Sequence, residues 1–398
     1  MAVLTGTGVF ATFMLRLNLS PVAPILVEEL QISDFELGLV LSGFLWTYAF
    51  LQPVAGYVVD RLGAKTAMLL GVLATSIITL ATGLVGSFLA LFTLRVLLGA
   101  TQAPNFVTGA KVTASGWFSQ EQRARATSIW ITGGRLGPVV TVPFAAWLGV
   151  SFGWQMAFYA TGLIGLLWCG VWFLGFQNNP QSGGGHPRVE ATRLREDWRT
   201  LASPLGLGLA VSSFGMGYVA YYLNLWLPTY LVREQEFTIL NAGIFSALPL
   251  LSAVVTLIVI GGFLSDYLVR RGASPVRLRS RMFSIGMILA SAMLFATAYA
   301  PDPYTAIATL SLAGAALGFS TPSLWVALVE ATPKRMAGSM GGIQNLGGNI
   351  AGIVVSILTG YVLAVTGSFF AALLAGSGAA LLAAISSLVL VKPRNVPA

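Results

Sequence analysis

Four basic side chains interrupt the apolar runs of this sequence. Arg16 sits in "FATFMLRLNLSPVAPILV", Arg95 and Lys111 in the run around 88–116, and Arg135 in "ITGGRLGP". A positive charge at mid-bilayer costs about 2.5–3.5 kcal/mol even on a lenient insertion scale. Each of these groups therefore needs a wet cavity or a partner. No Asp or Glu falls near the middle of any apolar run; the closest, Glu330, lies at the end of one. Cationic groups with no resident anion point to one chemistry, the capture of an anionic ligand through charge-assisted, bidentate guanidinium bonds.

Helical spacing sorts the four. Thr12, Arg16 and Ser20 form an i, i+4 stripe, and Arg95 and Gln102, seven residues apart, share a face, with Asn105 one turn further. Lys111 is nine residues from Gln102, which at about 100° per residue turns it to the opposite side. It is read as structural, snorkelling or touching Asp60. Arg135 lies about 12 Å into its helix beside two glycines, a setting that suits a cavity wall. Amides and aromatics add hydroxyl-binding capacity: Tyr48 and Gln52 at i, i+4; Tyr218, Tyr221, Tyr222 and Asn224; Ser320, Ser323 and Trp325 around Pro322; and Gln344, Asn345 and Asn349. About half of these are expected to serve as interfacial belt or packing groups. The Gly341, Gly342, Gly347, Gly348 and Gly352 series is expected to pack helices.

The elements that must hold these residues are membrane helices. The 398-residue chain is 56% hydrophobic and only 9% charged, against about 25% charged in soluble domains. Apolar runs long enough to cross a bilayer fall near 3–27, 36–59, 66–86, 88–116, 127–149, 153–176, 205–232, 239–265, 282–300, 303–331, 338–365 and 368–391, twelve in all. The first is read as a span and not a signal peptide, since it has no basic leader and carries an arginine. Most of the bases fall in alternate loops, starting with the one after the second run, while the opposite loops carry Glu28, Glu29, Asp34, Glu36, Glu234, Glu236 and Asp302. That asymmetry predicts cytoplasmic termini. It also removes nucleic acid as the reason for the net charge of +8. One Cys, Cys169, and one His, His186, leave no metal site, no cofactor site and no cluster for a membrane enzyme.

The chain divides as 1–177, a Pro/Gly/Ser-rich and charged linker over 178–204, and 205–398. The two halves echo each other. "GYVVDRLGAK" at 56–65 matches "GGFLSDYLVRRGA" at 261–273, and "RATSIWITGGR" at 125–135 matches "RMAGSMGGIQN" at 335–345, with nearly the same offset. Duplications of this kind are a transporter signature.

The first loop motif resembles the major facilitator superfamily signature, here Gly56, Asp60, Arg61, Gly63 and Lys65, with Ala64 departing from the usual basic pair. The second copy keeps Asp266, Arg270, Arg271 and Gly272 and has Tyr267 where a base is common. "RLNLSPVAPIL", "LGLVLSGFLWTYAFLQPVAGYVVDRLG", "APNF", "WFSQEQRARA" and "GGIQNLGGNIAG" resemble the anion:cation symporter group, which includes sugar-acid (galactonate and hexuronate) and vesicular organic-anion carriers. The resemblance implies an all-α membrane fold of two six-helix bundles, and it implies that Arg16, Arg95, Tyr48, Trp325 and Asn345 fall on substrate-cavity positions. It makes Asp60, Arg61, Lys65, Asp266 and Arg270 a conformational latch. Three positions depart. Those symporters carry an acid where Leu15 stands, a glutamate where Gln102 stands, and often an amide where Arg135 stands.

The expected protein is a monomeric carrier in the bacterial inner membrane, its partners the lipid bilayer and a small organic anion. The expected site is Arg16, Arg95, Arg135, Tyr48, Gln102, Asn105, Tyr222, Trp325, Gln344 and Asn345. Without the two acids, proton symport gives way to exchange or uniport, and the identity of any coupling ion, proton or sodium, stays open. A drug-efflux antiporter would want an intramembrane acid; a nitrate porter would want arginines inside spans two and eight; a non-transporting sensor would want a signalling domain.

Overall fold

The computed structural model describes residues 1–114, 117–118, 122–177, 202–272, 274–332 and 336–391. Within them the regular structure is entirely helical, as lipid demands of a chain that must satisfy every backbone N–H and C=O within its own segment. In order the helices are α1 (Ala2–Leu17), α2 (Ala23–Leu30), α3 (Asp34–Thr82), α4 (Phe88–Ala114), α5 (Arg123–Phe152), α6 (Trp154–Gly175), α7 (Pro204–Tyr221), α8 (Leu227–Arg233), α9 (Ile239–Thr256), α10 (Gly262–Arg270), α11 (Pro275–Ala298), α12 (Pro303–Ala331), α13 (Ala337–Thr366) and α14 (Phe370–Leu390).

Ten stretches among the described residues are long and apolar enough to cross a membrane. The other two expected spans are helical as well. α4 has the length, but Arg95, Gln102 and Asn105 lower its mean hydropathy. The seventh is divided into α7 and α8 by a π-helical turn, Tyr222–Trp226.

Two boundaries differ from the simple apolar runs. The first run is not one straight helix: α1 stops at Leu17, a 3-10 turn covers Ser20–Val22, and α2 begins at Ala23. Pro21 and Pro24 lack the N–H that an uninterrupted helix would use there. Runs two and three join as α3, with a break at Gly63, whose φ of 78° favours glycine. Ser33 and Glu36 start α3 with a capping box, Glu36 N donating to Ser33 Oγ at 3.2 Å and Ser33 N to Glu36 Oε2 at 2.7 Å.

The described residues fall into two compact units, the first within Met1–His186 and Asn224–Ala247, the second within Pro187–Leu223 and Leu248–Ala398. The expected linker lies almost wholly outside the described residues. In the first unit α4 lies along α3 so closely that a Cβ on Gly99 would stand 2.0 Å from the Phe44 carbonyl. That contact sets α4, and with it Arg95 and Gln102, against the α3 segment that bears Phe44 and Tyr48. An apolar cluster including Val9, Leu15, Met68, Val72, Trp130, Trp168 and Trp172 packs α1 against its neighbours. The segment Asn224–Ala247 joins this unit through Ser20 Oγ, which donates to the Leu225 carbonyl at 2.8 Å, and through an Arg233–Asp34 ion pair.

In the second unit α13 packs on α7, where a Cβ on Gly347 would stand 2.4 Å from the Ala210 carbonyl. That matches the packing role expected of Gly347; Gly341 and Gly342 have open space around them. Serines tie α11 to α14, Ser280 Oγ donating to the Ser387 carbonyl at 2.6 Å and Ser284 Oγ to the Ala384 carbonyl at 2.8 Å.

Candidate functional site

The first unit holds a small recess lined by Val9, Thr12, Phe13 and Arg16 of α1, Tyr48 of α3, and Gln102 and Asn105 of α4. Four of the expected site residues meet here: Arg16, Tyr48, Gln102 and Asn105. The register between α1 and α4 explains how. Gln102 Nε2 donates to the Thr12 carbonyl at 3.0 Å, Asn105 Nδ2 to Thr12 Oγ1 at 3.4 Å, and Arg95 Nη1 to the Arg16 carbonyl at 3.0 Å. The shared face of α4 read from the seven-residue spacing is thus the face laid on α1.

Arg16 is half-buried, its guanidinium carbon 3.9 Å from the centre of the Phe44 ring, 4.8 Å from Tyr48 and 5.5 Å from Phe13. Aromatic faces stabilise a cation and hold its plane. Phe13 and Phe44 were absent from the sequence-based site. Phe44 lies one turn before Tyr48 and so shares its face of α3, but spacing does not say that this face meets Arg16.

Arg95 is 5% exposed and does not line the recess. Beyond its bond to Arg16, its Nε and Nη2 have no hydrogen-bond partner among the described residues. Gln102 and Asn105 are each 1% exposed, and Gln102 Oε1 and Asn105 Oδ1 also lack partners. Ser20, expected to continue the Thr12–Arg16 stripe, does not: the helix has ended before it, and its hydroxyl is used on Leu225. Arg135 is exposed on α5 and is not in the recess lining.

The second unit, taken by itself, carries neutral polar groups among the expected residues. Gln344 is fully buried, and neither atom of its amide has a partner among the described residues. Tyr221 donates to Asn349 Oδ1 at 2.9 Å, and Asn349 Nδ2 has no acceptor among the described residues. Tyr222 is buried in the π-helical turn, Asn345 is half-buried, and Trp325 is 42% exposed. The buried cation of this unit, Arg279, is ion-paired with Glu330.

At the proposed latch, Asp60 Oδ1 is 2.8 Å from Lys111 Nζ, which also donates to the Val59 carbonyl at 2.8 Å. Lys111 therefore reaches Asp60, one of the two roles expected of it. Arg61 lies 5.5 Å from the Tyr57 ring and Lys65 Nζ 5.1 Å from the Phe173 ring. Arg270 is exposed at the end of α10, and the Asp266 side chain lies outside the described residues.

Comparison with known proteins agrees with this architecture. Residues 5–356 match the model of the Major Facilitator Superfamily. The chain is 30% identical to the probable galactarate/D-glucarate transporter of Bacillus subtilis, over 95% of this chain and 88% of the relative. It is 29% identical to the D-galactonate transporter of Escherichia coli, over 98% and 95%. It is 28% identical to the hexuronate transporter of Bacillus subtilis, over 95% and 91%. Among solved structures, a D-xylose-proton symporter superposes with a TM-score of 0.81 at 14% identity, covering 98% of this chain and 97% of that one. The nucleoside transporter NupG gives 0.77 at 17%, covering 98% and 100%. An all-helical, multi-pass membrane protein, the chain belongs to the Major Facilitator Superfamily and is a transporter, not an enzyme, related to the galactarate/glucarate, galactonate and hexuronate transporters.

Proposed function

We propose that this chain carries small organic anions, sugar acids foremost, by alternating access, with Arg16 as the principal anchor. The observation that carries this reading is the recess: a guanidinium, two amides, a hydroxyl and a phenol converge there, and among the described residues no acidic side chain lines it. Guanidinium suits a carboxylate, and amides and hydroxyls suit a polyol chain. Arg95 backs the site, a second positive charge hydrogen-bonded to the Arg16 backbone. Arg135 on α5 is the third cation, favouring anions of higher charge. Tyr222, Trp325, Gln344 and Asn345 are the second unit's candidates for substrate hydroxyls; Gln344, buried with an unpartnered amide, is the strongest of them.

Exchange or uniport follows from what stands at the two acid positions. Gln102 does not titrate, and Leu15, 1% exposed, packs into the apolar cluster. A proton-coupled carrier needs a group that titrates at accessible pH. Bacterial relatives and the basic loops support a plasma-membrane location with both termini in the cytoplasm.

The test is counterflow in proteoliposomes with aldarates, aldonates, uronates and simple dicarboxylates, with and without an imposed pH gradient. Exchange of anions that the gradient does not concentrate supports the proposal. Concentrative uptake driven by the gradient would overturn exchange or uniport. Uptake of cationic drugs with no anion exchanged would overturn the anion reading and favour an efflux antiporter.

A further inference from the structure

The amide of Gln102 is fixed at one end and open at the other. Nε2 donates to the Thr12 carbonyl at 3.0 Å. That bond settles which way the amide faces, since the reversed amide would set two carbonyl oxygens against each other. Oε1 is then left without a hydrogen-bond partner among the described residues, on a side chain that is 1% exposed and lines the recess. A buried polar atom without a partner is costly, so such atoms in native folds call for an explanation.

The neighbouring orphan, Asn105 Oδ1, differs in one respect. It is pressed against α3 at Gly71, where a Cβ would stand 2.1 Å from it. Backbone covers that oxygen. Of the pair, Gln102 Oε1 is the acceptor without a partner among the described residues that the α3 glycine does not press upon, on a side chain lining the recess.

An amide oxygen only accepts. A carboxylate also only accepts, so Gln102 Oε1 cannot serve the charged end of an anion. It needs an O–H or N–H. Thr12, where the amide is anchored, is one helical turn from Arg16. A ligand whose carboxylate meets Arg16 therefore presents to Gln102 whatever its chain carries a short way from that carboxylate.

We propose that Gln102 is a specificity-determining residue, whose Oε1 accepts a hydrogen bond from a substrate hydroxyl near the carboxylate held by Arg16. The chain is thereby selective for hydroxylated acids over plain carboxylic acids of the same length and charge. This rests on the anion-carrier reading above and adds to it the group that rejects the deoxy compound. A site built to bond a hydroxyl discriminates strongly against a ligand lacking it, because the acceptor is then buried unpaired.

The experiment uses the full-length chain in proteoliposomes and two pairs of probes, galactarate against adipate and gluconate against hexanoate. Each pair shares a carbon chain and its charge and differs in hydroxyls. The parent is expected to exchange the hydroxylated member at least about tenfold better in kcat/KM. Gln102→Met, which keeps the length and removes both the acceptor and the donor to Thr12, is expected to lower that ratio about fivefold or more.

Exchange of neither member of either pair overturns the anion-carrier reading, and this proposal with it. Equal exchange of both members by the parent, a comparison that needs no variant, overturns this proposal and leaves the carrier reading standing. A Gln102→Met ratio equal to the parent's also overturns it, as does a Gln102→Met chain that folds yet loses plain and hydroxylated acids alike.

Discussion

Arg95 and Arg279 are both buried arginines, 5% and 7% exposed, one in each unit, and the chain treats them in opposite ways. Arg279 on α11 is ion-paired with Glu330 of α12. Arg95 on α4 is given a backbone carbonyl for one of its N–H groups and no hydrogen-bond partner among the described residues for Nε and Nη2. A buried charge is tolerated when it is paired; left unpaired, it costs far more. The second unit has settled its charge internally. The first holds a positive charge beside a polar recess, an arrangement that an incoming anion would complete.

Substitutions break or sharpen that contrast. The largest effect is expected at Arg16. Arg16→Met should lower kcat/KM for an exchanged sugar acid by about 100-fold, since removing one member of a hydrogen-bonded charge pair costs about 2–5 kcal/mol. Arg16→Lys should restore only part of it, because an ammonium lacks the planar fork. Initial rates of counterflow measure both.

Stability should show the reverse ranking. Arg279→Met strands the Glu330 carboxylate and should destabilise the chain by about 2–4 kcal/mol, toward the low side because Glu330 is 27% exposed. Adding Glu330→Gln should recover most of the loss. Arg95→Met strands no carboxylate and should leave the midpoint of thermal unfolding close to that of the parent. A large loss in Arg95→Met, or none in Arg279→Met, would erase the distinction between the two arginines.

Lys111→Met should do less. The Lys111–Asp60 pair is 23% and 38% exposed at its two side chains, and partly exposed pairs contribute about 0–1 kcal/mol. Transport rates should therefore shift by no more than about fivefold. Asp302 should have the smallest effect. The Thr305 hydroxyl, then the Thr305 and Tyr304 backbone N–H groups, hold its carboxyl below the usual carboxylate value. A depressed folded value stabilises above the unfolded value and is lost as pH falls through the folded one. Asp302→Ala should leave the slope of stability with pH unchanged from neutral pH down to the ordinary carboxylate range, and flatten it only below that range.

Much of the recess was legible because helix periodicity is rigid over short distances. The seven residues from Arg95 to Gln102 place both on one face, and both reach α1. The nine residues from Gln102 to Lys111 turn Lys111 away from that face, and it reaches Asp60 on α3. The reading failed where the helix did. Ser20 obeys the i, i+4 stripe only if α1 continues past Leu17, and Pro21 and Pro24 end it. Phe44 and Phe13 escaped notice for another reason. Cation–π contacts to Arg16 depend on how α3 lies against α1, and an aromatic side chain in an apolar run carries no mark of which neighbour it faces. The contact of Asn224–Ala247 with the first unit is also tertiary. No periodicity within that segment announces it.

Binding of galactarate and of galactitol to the purified chain is the most direct test that the carried anion completes the cationic recess. The two ligands share the carbon chain and its secondary hydroxyls, and galactitol carries hydroxymethyl groups where galactarate carries carboxylates. Ligand at 100 times its dissociation constant stabilises the folded state by about 2.7 kcal/mol, enough to read as a rise in the unfolding midpoint. Galactarate should raise the midpoint of the parent and leave Arg16→Met unmoved, while galactitol should raise neither. An equal rise with galactitol, or a galactarate rise that survives Arg16→Met, would contradict it.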